Sequence, residues 1–240
     1  MIMANILIIG ASSGIGRELA MQYGSFEENS LWLISRTVSA LENIVDKVVA
    51  SCYCLSLDIT SADSVAELHN FISKDKKIDL VIYSAGFGEI NPSLGWDLCE
   101  ETLAVNVLAF TKITNFFFNY FSEIERGHFA AISSIGGLRG FEDDSGYSAS
   151  KKFMSHYLEG MARKARKEKL AVKFTTILPG FVDTKMAKGE GIFWKCSAQK
   201  AAEVIISGLR KGKRYIFVTK RWRLIAFFLR MIPHFIFERL

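Results

Sequence analysis

The stretch that decides the fold is NILIIGASSGIG, residues 5–16. Its first half is a short apolar run, as expected of a β-strand that is buried on both faces. Gly10, Gly14 and Gly16 follow directly, where the chain must turn tightly from a strand into a helix. Such a turn lets a pyrophosphate approach the backbone, and the next helix offers free N–H groups and the positive end of its dipole. The stretch therefore predicts a strand, a nucleotide-binding turn and a helix, although a turn that needs glycine only for packing would read the same.

Strands and helices alternate along the rest of the chain. Strands are predicted at 5–9, 31–35, 52–57, 79–83, 129–133, 172–178 and 215–218, and helices at 14–24, 40–49, 61–74, 96–121, 146–169 and 198–210. This alternation predicts one α/β domain over residues 1–218, with a doubly wound, mostly parallel sheet of six to seven strands and helices on both faces. Ligands of such sheets bind beyond the carboxyl ends of the strands.

The composition agrees with a single packed domain. The chain has 240 residues, half of them hydrophobic, and only three prolines. Its N-terminus lacks a basic region and a cleavage site, so we interpret it as the first strand and not as a signal peptide. The four cysteines do not have zinc spacing, which favours packed free thiols in the reducing cytoplasm. The four histidines are scattered, and no metal site is predicted.

An acid/base device is indicated further along, where ISSIGG (132–137) is followed by YSASK (147–151). Tyr147 and Lys151 lie four residues apart and so share one face of a helix. A free tyrosine has a pKa of about 10, and an ammonium group beside it is expected to lower that pKa. Ser134 lies thirteen residues before the tyrosine, with Ser133 as its rival. Taken alone, a tyrosine and lysine at this spacing also fit an ordinary surface pair.

Together with the glycine turn, these residues resemble the short-chain dehydrogenase/reductase family, whose Rossmann fold would cover roughly residues 4–218. Further family motifs occur in order: Asp58 after strand three, SAG (84–86) after strand four, Asn106 in a long helix, and PGFVDT (179–184) after strand six. Ser84 departs from the family, which usually has asparagine there. The cofactor-binding residues that the resemblance implies are Gly10, Ser12, Ser13, Gly14, Ile15, Gly16, Ser35, Arg36, Asp58, Ile59, Ser84, Ala85, Gly86, Tyr147, Lys151, Pro179, Gly180, Val182 and Thr184.

The resemblance also implies a reaction, the reduction of a ketone to a secondary alcohol or its reverse. Tyr147 is then the general acid, Ser134 binds the substrate oxygen, and Lys151 lowers the tyrosine pKa and holds the nicotinamide ribose. Asn106 would anchor a water that links Lys151 to solvent, although a buried asparagine can also cap a bulge in its helix. A nucleotide-binding regulator without turnover is the alternative from a different class.

The choice of cofactor depends on the end of strand two. An acidic residue there would bind the ribose 2′-hydroxyl and repel a 2′-phosphate. The chain instead has Ser35, Arg36 and Thr37, which offer a planar guanidinium and two hydroxyls. This favours NADP(H) over NAD(H), although an arginine can also stack on adenine in NAD enzymes.

The C-terminal residues 219–240 form a separate basic and aromatic segment. From residue 208 onward there are nine Lys/Arg and one acid, Glu238, while the chain as a whole carries +5. A basic body would suggest nucleic acid, whereas a basic aromatic tail indicates a membrane surface, so no nucleic-acid partner is predicted. Residues 220–232 are predicted to be an amphipathic helix that ends before Pro233 and binds the inner face of a membrane, with Trp222 at the headgroup boundary. Packing on a partner subunit is the other interpretation.

The substrate is expected to be a small-molecule or lipid-linked carbonyl compound. Met186, Ile192, Phe193 and Trp194 would supply an apolar lid. The tail resembles, less specifically, that of reductases acting on polyprenyl-phosphate sugars. The long helices at 96–121 and 147–169 resemble the pair with which the family forms four-helix interfaces, so a homodimer or homotetramer is expected. A soluble metabolite reductase whose tail serves only assembly is a third interpretation.

Overall fold

The computed structural model describes residues 4–72, 77–184 and 194–239, and its elements alternate as the sequence predicts. The main sheet contains β1 (Asn5–Ile9), β2 (Ser30–Ser35), β3 (Ser51–Ser56), β4 (Leu80–Tyr83), β5 (Arg126–Ile132), β6 (Ala171–Pro179) and β9 (Tyr215–Val218). Two short strands, β7 (Val182–Asp183) and β8 (Cys196–Ser197), form a separate parallel pair. The expected lid lies mostly at residues 185–193, outside the described residues.

The main sheet is parallel throughout, with strand order β3-β2-β1-β4-β5-β6-β9. The chain first winds outward from β1 to β3, and then crosses to β4 and winds in the opposite direction. The reversal between β1 and β4 is a topological switch point, where a crevice opens at the carboxyl ends of the strands. The predicted doubly wound fold is confirmed, with seven strands.

The helices are α1 (Gly14–Gly24), α2 (Val38–Val45), α3 (Ser64–Phe71), α4 (Trp96–Leu103), α5 (Phe110–Glu123), α6 (Ser145–Lys167), α7 (Ala198–Arg210), α8 (Lys220–Met231) and α9 (His234–Phe237). The long helix predicted over 96–121 is confirmed as α4 and α5, which a π-helical segment, Ala104–Ala109, joins without a break. The predicted start of β5 at Phe129 is three residues late. Its polar first residues pair with β6 from Arg126 onward, and backbone pairing at an exposed strand end needs no apolar side chain.

Two apolar layers enclose the sheet, and β1 shows how. Successive side chains of a strand point to opposite faces. Ile6 and Ile8 therefore belong to the core under α1 and α7, whereas Leu7 and Ile9 belong to the core under α5 and α6. The aromatic end of α5 fills that second core, where Phe117 and Phe121 are fully buried. This is why the strand is apolar at every central position.

The C-terminal helix packs on this same domain. Trp222 and Ala226 of α8 are buried against Ile135 and Leu178 in a third, smaller cluster. The expectation that Trp222 faces a lipid headgroup region is therefore wrong, since its ring is only 5% exposed. The predicted helix itself is confirmed and ends at Met231, two residues before Pro233.

Candidate active site

Tyr147 and Ser134 meet at the carboxyl edge of the sheet. Ser134 follows β5 and Tyr147 lies in the first turn of α6, and both side chains border Gly136, where an added Cβ would lie within 4 Å of each. The backbone N–H of Gly136 donates to Ser134 Oγ at 3.0 Å, which fixes the serine oxygen in place. Ser133, the rival serine, is turned away: its hydroxyl donates to the carbonyl of Lys151 at 2.8 Å and contacts Ser155 Oγ. The structure therefore places Ser134, and not Ser133, beside the tyrosine.

Lys151 lies behind the tyrosine ring. Its Nζ is 5.6 Å from the centre of the Tyr147 ring, and it donates to the carbonyl of Ile132 at 3.1 Å and contacts the sulfur of Met154. The lysine is 3% exposed, and burial lowers its pKa to about 8, because an ammonium loses hydration there.

The pKa of Tyr147 is raised in this structure, so the lowering expected from Lys151 does not decide the net direction of the shift. Burial is the main cause and the charge of Asp144 adds to it, while the hydrogen bond from Ser134 acts in the opposite direction. A buried phenolate loses hydration, and in this arrangement that loss decides the direction of the shift. Tyr147 is consequently held as the protonated phenol at neutral pH, the form that can give a proton away.

Asn106 lies in the π-helical segment and is completely buried. Its Oδ1 accepts from the backbone N–H of Phe87 at 3.0 Å, and its Nδ2 donates to the Phe87 carbonyl at 2.7 Å. The same Nδ2 donates to Ser150 Oγ at 3.0 Å, and Ser150 in turn donates to the Tyr147 carbonyl. Asn106 thus ties the loop after β4 to the first turn of α6, and its amide hydrogens are already engaged with protein atoms.

Two glycines shape the pocket around the tyrosine: Gly88, which no motif includes, and Gly136 of the ISSIGG stretch. A Cβ added to Gly88 would come within 2.2 Å of Tyr147 Cδ2, so only a glycine leaves room for the ring. On the other side, a Cβ at Gly136 would lie 3.3 Å from Ser134 Oγ and 3.8 Å from Tyr147 Cε1. A glycine with no side chain gives no signal in sequence reasoning unless the packed ring is already known.

The glycine turn lies against the loops after β4 and β6. Gly10 has φ +85°, a left-handed conformation that favours glycine, and a Cβ there would lie 2.6 Å from the Ala85 nitrogen. A Cβ at Gly16 would lie 2.1 Å from the Gly10 carbonyl oxygen and 2.9 Å from Ser84 Oγ. Gly14 lies beside Thr184, whose Cγ2 would be 3.1 Å from an added Cβ. Three motifs that are far apart in the chain therefore border one crevice.

The start of α1 suits an anion. Ser13 is its N-cap and is exposed, and in the described structure its side chain makes no hydrogen bond to the first turn. The first N–H groups of a helix have no partner within it, so those of Gly14, Ile15 and Gly16 are available to a phosphate. Ser12 is half-buried in the same turn. These residues fit the pyrophosphate of a dinucleotide.

The end of β2 differs from the expectation in one detail. Ser35 is buried, and its hydroxyl accepts from the Thr37 N–H at 3.0 Å and donates to the Thr37 carbonyl at 2.8 Å. This hydroxyl closes the local turn and does not point outward to a ligand. Arg36 is exposed. Nearby, hydrogen bonds from Thr60 are the main reason that the pKa of Asp58 is lowered, so Asp58 stays ionised and can accept a donor.

The remaining predicted residues line the same edge in part. Pro179 ends β6, and Val182 is buried in β7. Gly180 faces away from the crevice toward α8, because a Cβ there would lie 2.1 Å from the Trp222 ring. Within residues 4–72, 77–184 and 194–239, no group of three His, Cys, Asp or Glu side chains is arranged to hold a metal ion. Of the other predicted residues, Ile59 is buried, and Ser84, Ala85 and Gly86 are half-buried.

Residues 4–191 match the family model described as short chain dehydrogenase. The chain belongs to the short-chain dehydrogenase family. As a member it is an NAD(P)-dependent oxidoreductase that acts on a CH–OH or C=O group.

Curated relatives and solved structures agree with this membership. An uncharacterized oxidoreductase of Myxococcus xanthus is 30% identical over 75% of this chain and 72% of its own length. The mouse dehydrogenase/reductase SDR family member 7B is 26% identical over 99% of this chain and 80% of its own. A short chain dehydrogenase from Burkholderia cenocepacia, solved with NADP, superposes with a TM-score of 0.81 at 21% identity, covering 100% and 99% of the two chains. One from Burkholderia phymatum, solved with NAD, has a TM-score of 0.84 at 19% identity, covering 94% and 92%.

Proposed function

We propose that the protein reduces a ketone to a secondary alcohol with NADPH, and that Tyr147 donates the proton. The observation that carries this proposal is the partly buried Tyr147 between Ser134 and Lys151 beside the nucleotide crevice, with Lys151 Nζ 5.6 Å from the centre of its ring. NADPH, when bound, supplies the hydride that reaches the carbonyl carbon. Ser134 would orient the carbonyl oxygen and stabilise the negative charge that develops on it. Tyr147 would transfer its O–H proton to that oxygen, so that the C=O group becomes CH–OH and the tyrosine is left as a phenolate.

Lys151 would then stabilise the phenolate and hold the nicotinamide ribose. An ammonium has three donors, and among the described contacts one goes to the Ile132 carbonyl and a weak one to the Met154 sulfur. The remaining donor is free to meet a ribose hydroxyl. For Asn106 the geometry supports a positioning role, because its side chain is bonded to Phe87 and Ser150. Its Oδ1 retains capacity for one further hydrogen bond, so it could also hold the water of the expected proton relay.

A preference for NADP(H) over NAD(H) is proposed from Arg36. This side chain is exposed at the end of β2, with no acidic residue at position 35 to repel a 2′-phosphate. Replacing Arg36 with leucine is expected to weaken NADPH binding about tenfold, in line with one lost charge-assisted hydrogen bond of about 1.5 kcal/mol. The affinity for NADH, measured on the same variant by fluorescence titration, is the internal control and is expected to stay unchanged. Equal losses for both cofactors would contradict a 2′-phosphate contact.

The substrate is proposed to be lipophilic or lipid-linked and to be taken up at a membrane surface that residues 220–232 contact. The support is the aromatic cluster that follows β6, where Phe181 packs edge-on against Trp222 and Trp194 lies 6.3 Å from Trp222. Residues 1–218 form the catalytic unit, and residues 219–240 are an appended segment. A homodimer or homotetramer is supported by three exposed apolar residues: Trp96 of α4, Leu108 of the π-helical segment and Phe153 of α6.

The test is NADPH oxidation, monitored by absorbance, with three substrate sets: lipid-linked keto sugars, long-chain 3-keto compounds and small diketones. We expect turnover with at least one of the first two sets. Turnover of small soluble ketones alone would contradict the lipophilic substrate while leaving the reductase intact. NADPH binding without turnover of any ketone would instead favour the nucleotide-binding regulator.

A further inference from the structure

The outer face of the C-terminal helices is apolar and exposed. Leu224, Phe227 and Met231 of α8 are 59%, 59% and 65% exposed, and Phe228 beside them is 55% exposed. Their spacing of three and four residues places them on one stripe of the helix. The stripe continues past Pro233 into α9, where Phe235 is 64% exposed. A helix on the surface of a globular domain normally turns polar side chains outward, so an apolar stripe of this length indicates a contact with something else.

The inner face of the same helix is already occupied. Trp222 and Ala226 are 5% and 1% exposed, and they pack on Ile135 of the short helical turn after Ser134. The exposed stripe is therefore not the face with which α8 packs on its own domain. The segment has two apolar faces, and only one of them is covered within the described residues.

Arg139 fixes α8 and α9 together as one surface. Its Nε donates to the carbonyl of Leu229 at 2.6 Å, and its Nη2 donates to the carbonyl of Ile232. These are carbonyls that the end of a helix leaves without partners inside the helix. The same guanidinium lies 5.3 Å from the centre of the Phe237 ring in α9. The outer stripe is thereby attached on both sides of Pro233 to the segment between Ser134 and Tyr147.

The charges around the stripe decide what can cover it. Lys220, Arg221, Arg223, Arg230 and Arg239 are all exposed, against one acid, Glu238, so the five cations and one carboxylate leave a net charge of +4. In a symmetric pairing of two such faces, each copy would bring its +4 against the other. A bilayer with anionic lipids complements them, since each Lys or Arg near such a surface contributes about 1 kcal/mol. No helix in the described residues is long and apolar enough to cross a bilayer.

We infer that α8 and α9 dock the protein on the surface of a bilayer that contains anionic lipids. The aromatic stripe enters the interface and the arginines meet the headgroups. Because the inner face of α8 packs on the turn after Ser134 and on Gly180, docking turns the catalytic edge of the sheet toward the lipid. The docking deepens the membrane contact already proposed for residues 220–232, and the consequence for the catalytic edge rests on the proposed reductase function.

The experiment is sedimentation of the full-length protein with phosphatidylcholine vesicles, with and without 30% phosphatidylglycerol, over a series of salt concentrations. Wild type is expected to sediment with the anionic vesicles, and salt is expected to weaken the binding. The double variant Phe227→Ser/Phe228→Ser is expected to bind at least tenfold more weakly, and Arg223→Gln/Arg230→Gln likewise. The matched control is Val49→Ser/Leu94→Ser, which removes two exposed apolar side chains elsewhere on the domain and is expected to bind as wild type does.

Three results would overturn the inference: no binding by wild type, binding that the Phe and Arg variants retain in full, or equal binding to neutral vesicles. Light scattering tests the other possible occupant of the stripe, which is a second copy of this chain. If the Phe variant changes the molar mass of the protein while vesicle binding is unaltered, the stripe joins copies of this chain and the lipid proposal is wrong. NADPH oxidation with a soluble ketone, measured without vesicles, tests the reductase proposal separately.

Discussion

Helices α6 and α8 both begin near the carboxyl edge of the sheet and both pack on the turn Ile135–Leu138, yet they expose opposite kinds of side chain. In the first two turns of α6, Lys151 is 3% exposed, and Ser148 and Ser150 beside it are buried as well. In α8 large apolar residues such as Phe227 are more than half exposed, and the cations surround them. Burial therefore sets the pKa values of the reactive side chains on α6. On α8, by contrast, the exposed apolar side chains form a surface that the rest of the described chain leaves uncovered.

The largest expected effect is on the enclosed helix. Tyr147→Phe removes the proton donor, and we expect ketone reduction to fall by a factor of about 10² to 10⁴. NADPH affinity, followed by fluorescence titration, is expected to stay within about twofold. Tyr157→Phe is the matched control on the same helix, since that hydroxyl bonds only to Asn115 among the described residues, outside the crevice. Unchanged turnover in the Tyr147 variant would contradict the role of Tyr147 as the proton donor.

The second effect separates the two faces of α8. Trp222→Ala empties a buried site, and we expect the free energy of unfolding in urea to drop by about 3 kcal/mol. Phe227→Ala removes an exposed ring from the same helix and is expected to change that free energy by less than about 0.5 kcal/mol. If the two substitutions cost the same, the described packing of α8 on the turn after Ser134 is incorrect.

Gly88→Ala tests how tightly the protein encloses the Tyr147 ring. The added methyl group meets the Tyr147 ring, so the ring must shift, and a displacement of about 1 Å can cost about 10²-fold in rate. We expect a lower kcat with little change in NADPH affinity or in the melting temperature. Gly140→Ala is the control, because a Cβ there meets nothing within 4 Å. Equal activity in both variants would show that the ring has more room than the structure indicates.

The smallest effect is a dependence on pH. The buried Lys151 has a pKa of about 8, so its charge is lost as the pH rises through 8. If that charge stabilises the phenolate, kcat for ketone reduction declines above pH 8, by up to about tenfold per pH unit. Between this pKa and the ordinary value of 10.5, the unfolded chain binds a proton that the folded chain does not. The contribution of Lys151 to stability therefore rises with pH across that window.

Because the contribution of Lys151 to stability rises with pH, a stability measurement serves as the control for the pH dependence of kcat. Unfolding in urea at pH 8 and pH 9.5 tests whether activity is lost because the protein denatures, which titration of Lys151 by itself would not cause. A rate that stays constant up to pH 10 would show that the lysine charge is not needed for turnover.

The sequence by itself determined the features that depend on local pattern. The apolar run before Gly10 predicted a buried strand, and alternation of strands and helices predicted a parallel sheet whose motifs meet at one edge. The placement of Tyr147 and Lys151 on one helix face followed from their spacing alone.

Only the tertiary structure decided how neighbours distant in the chain use those residues. The hydroxyl of Ser35 closes its own turn, and burial raises the pKa of Tyr147 although a lysine lies behind its ring. Gly88 has no side chain to reveal that it makes room for that ring. Trp222 reads as one more aromatic of an amphipathic tail, and its inward orientation depends on the space that Gly180 leaves open. The physical reason is the same in each case: hydration, packing space and hydrogen-bond partners come from segments that only folding brings together.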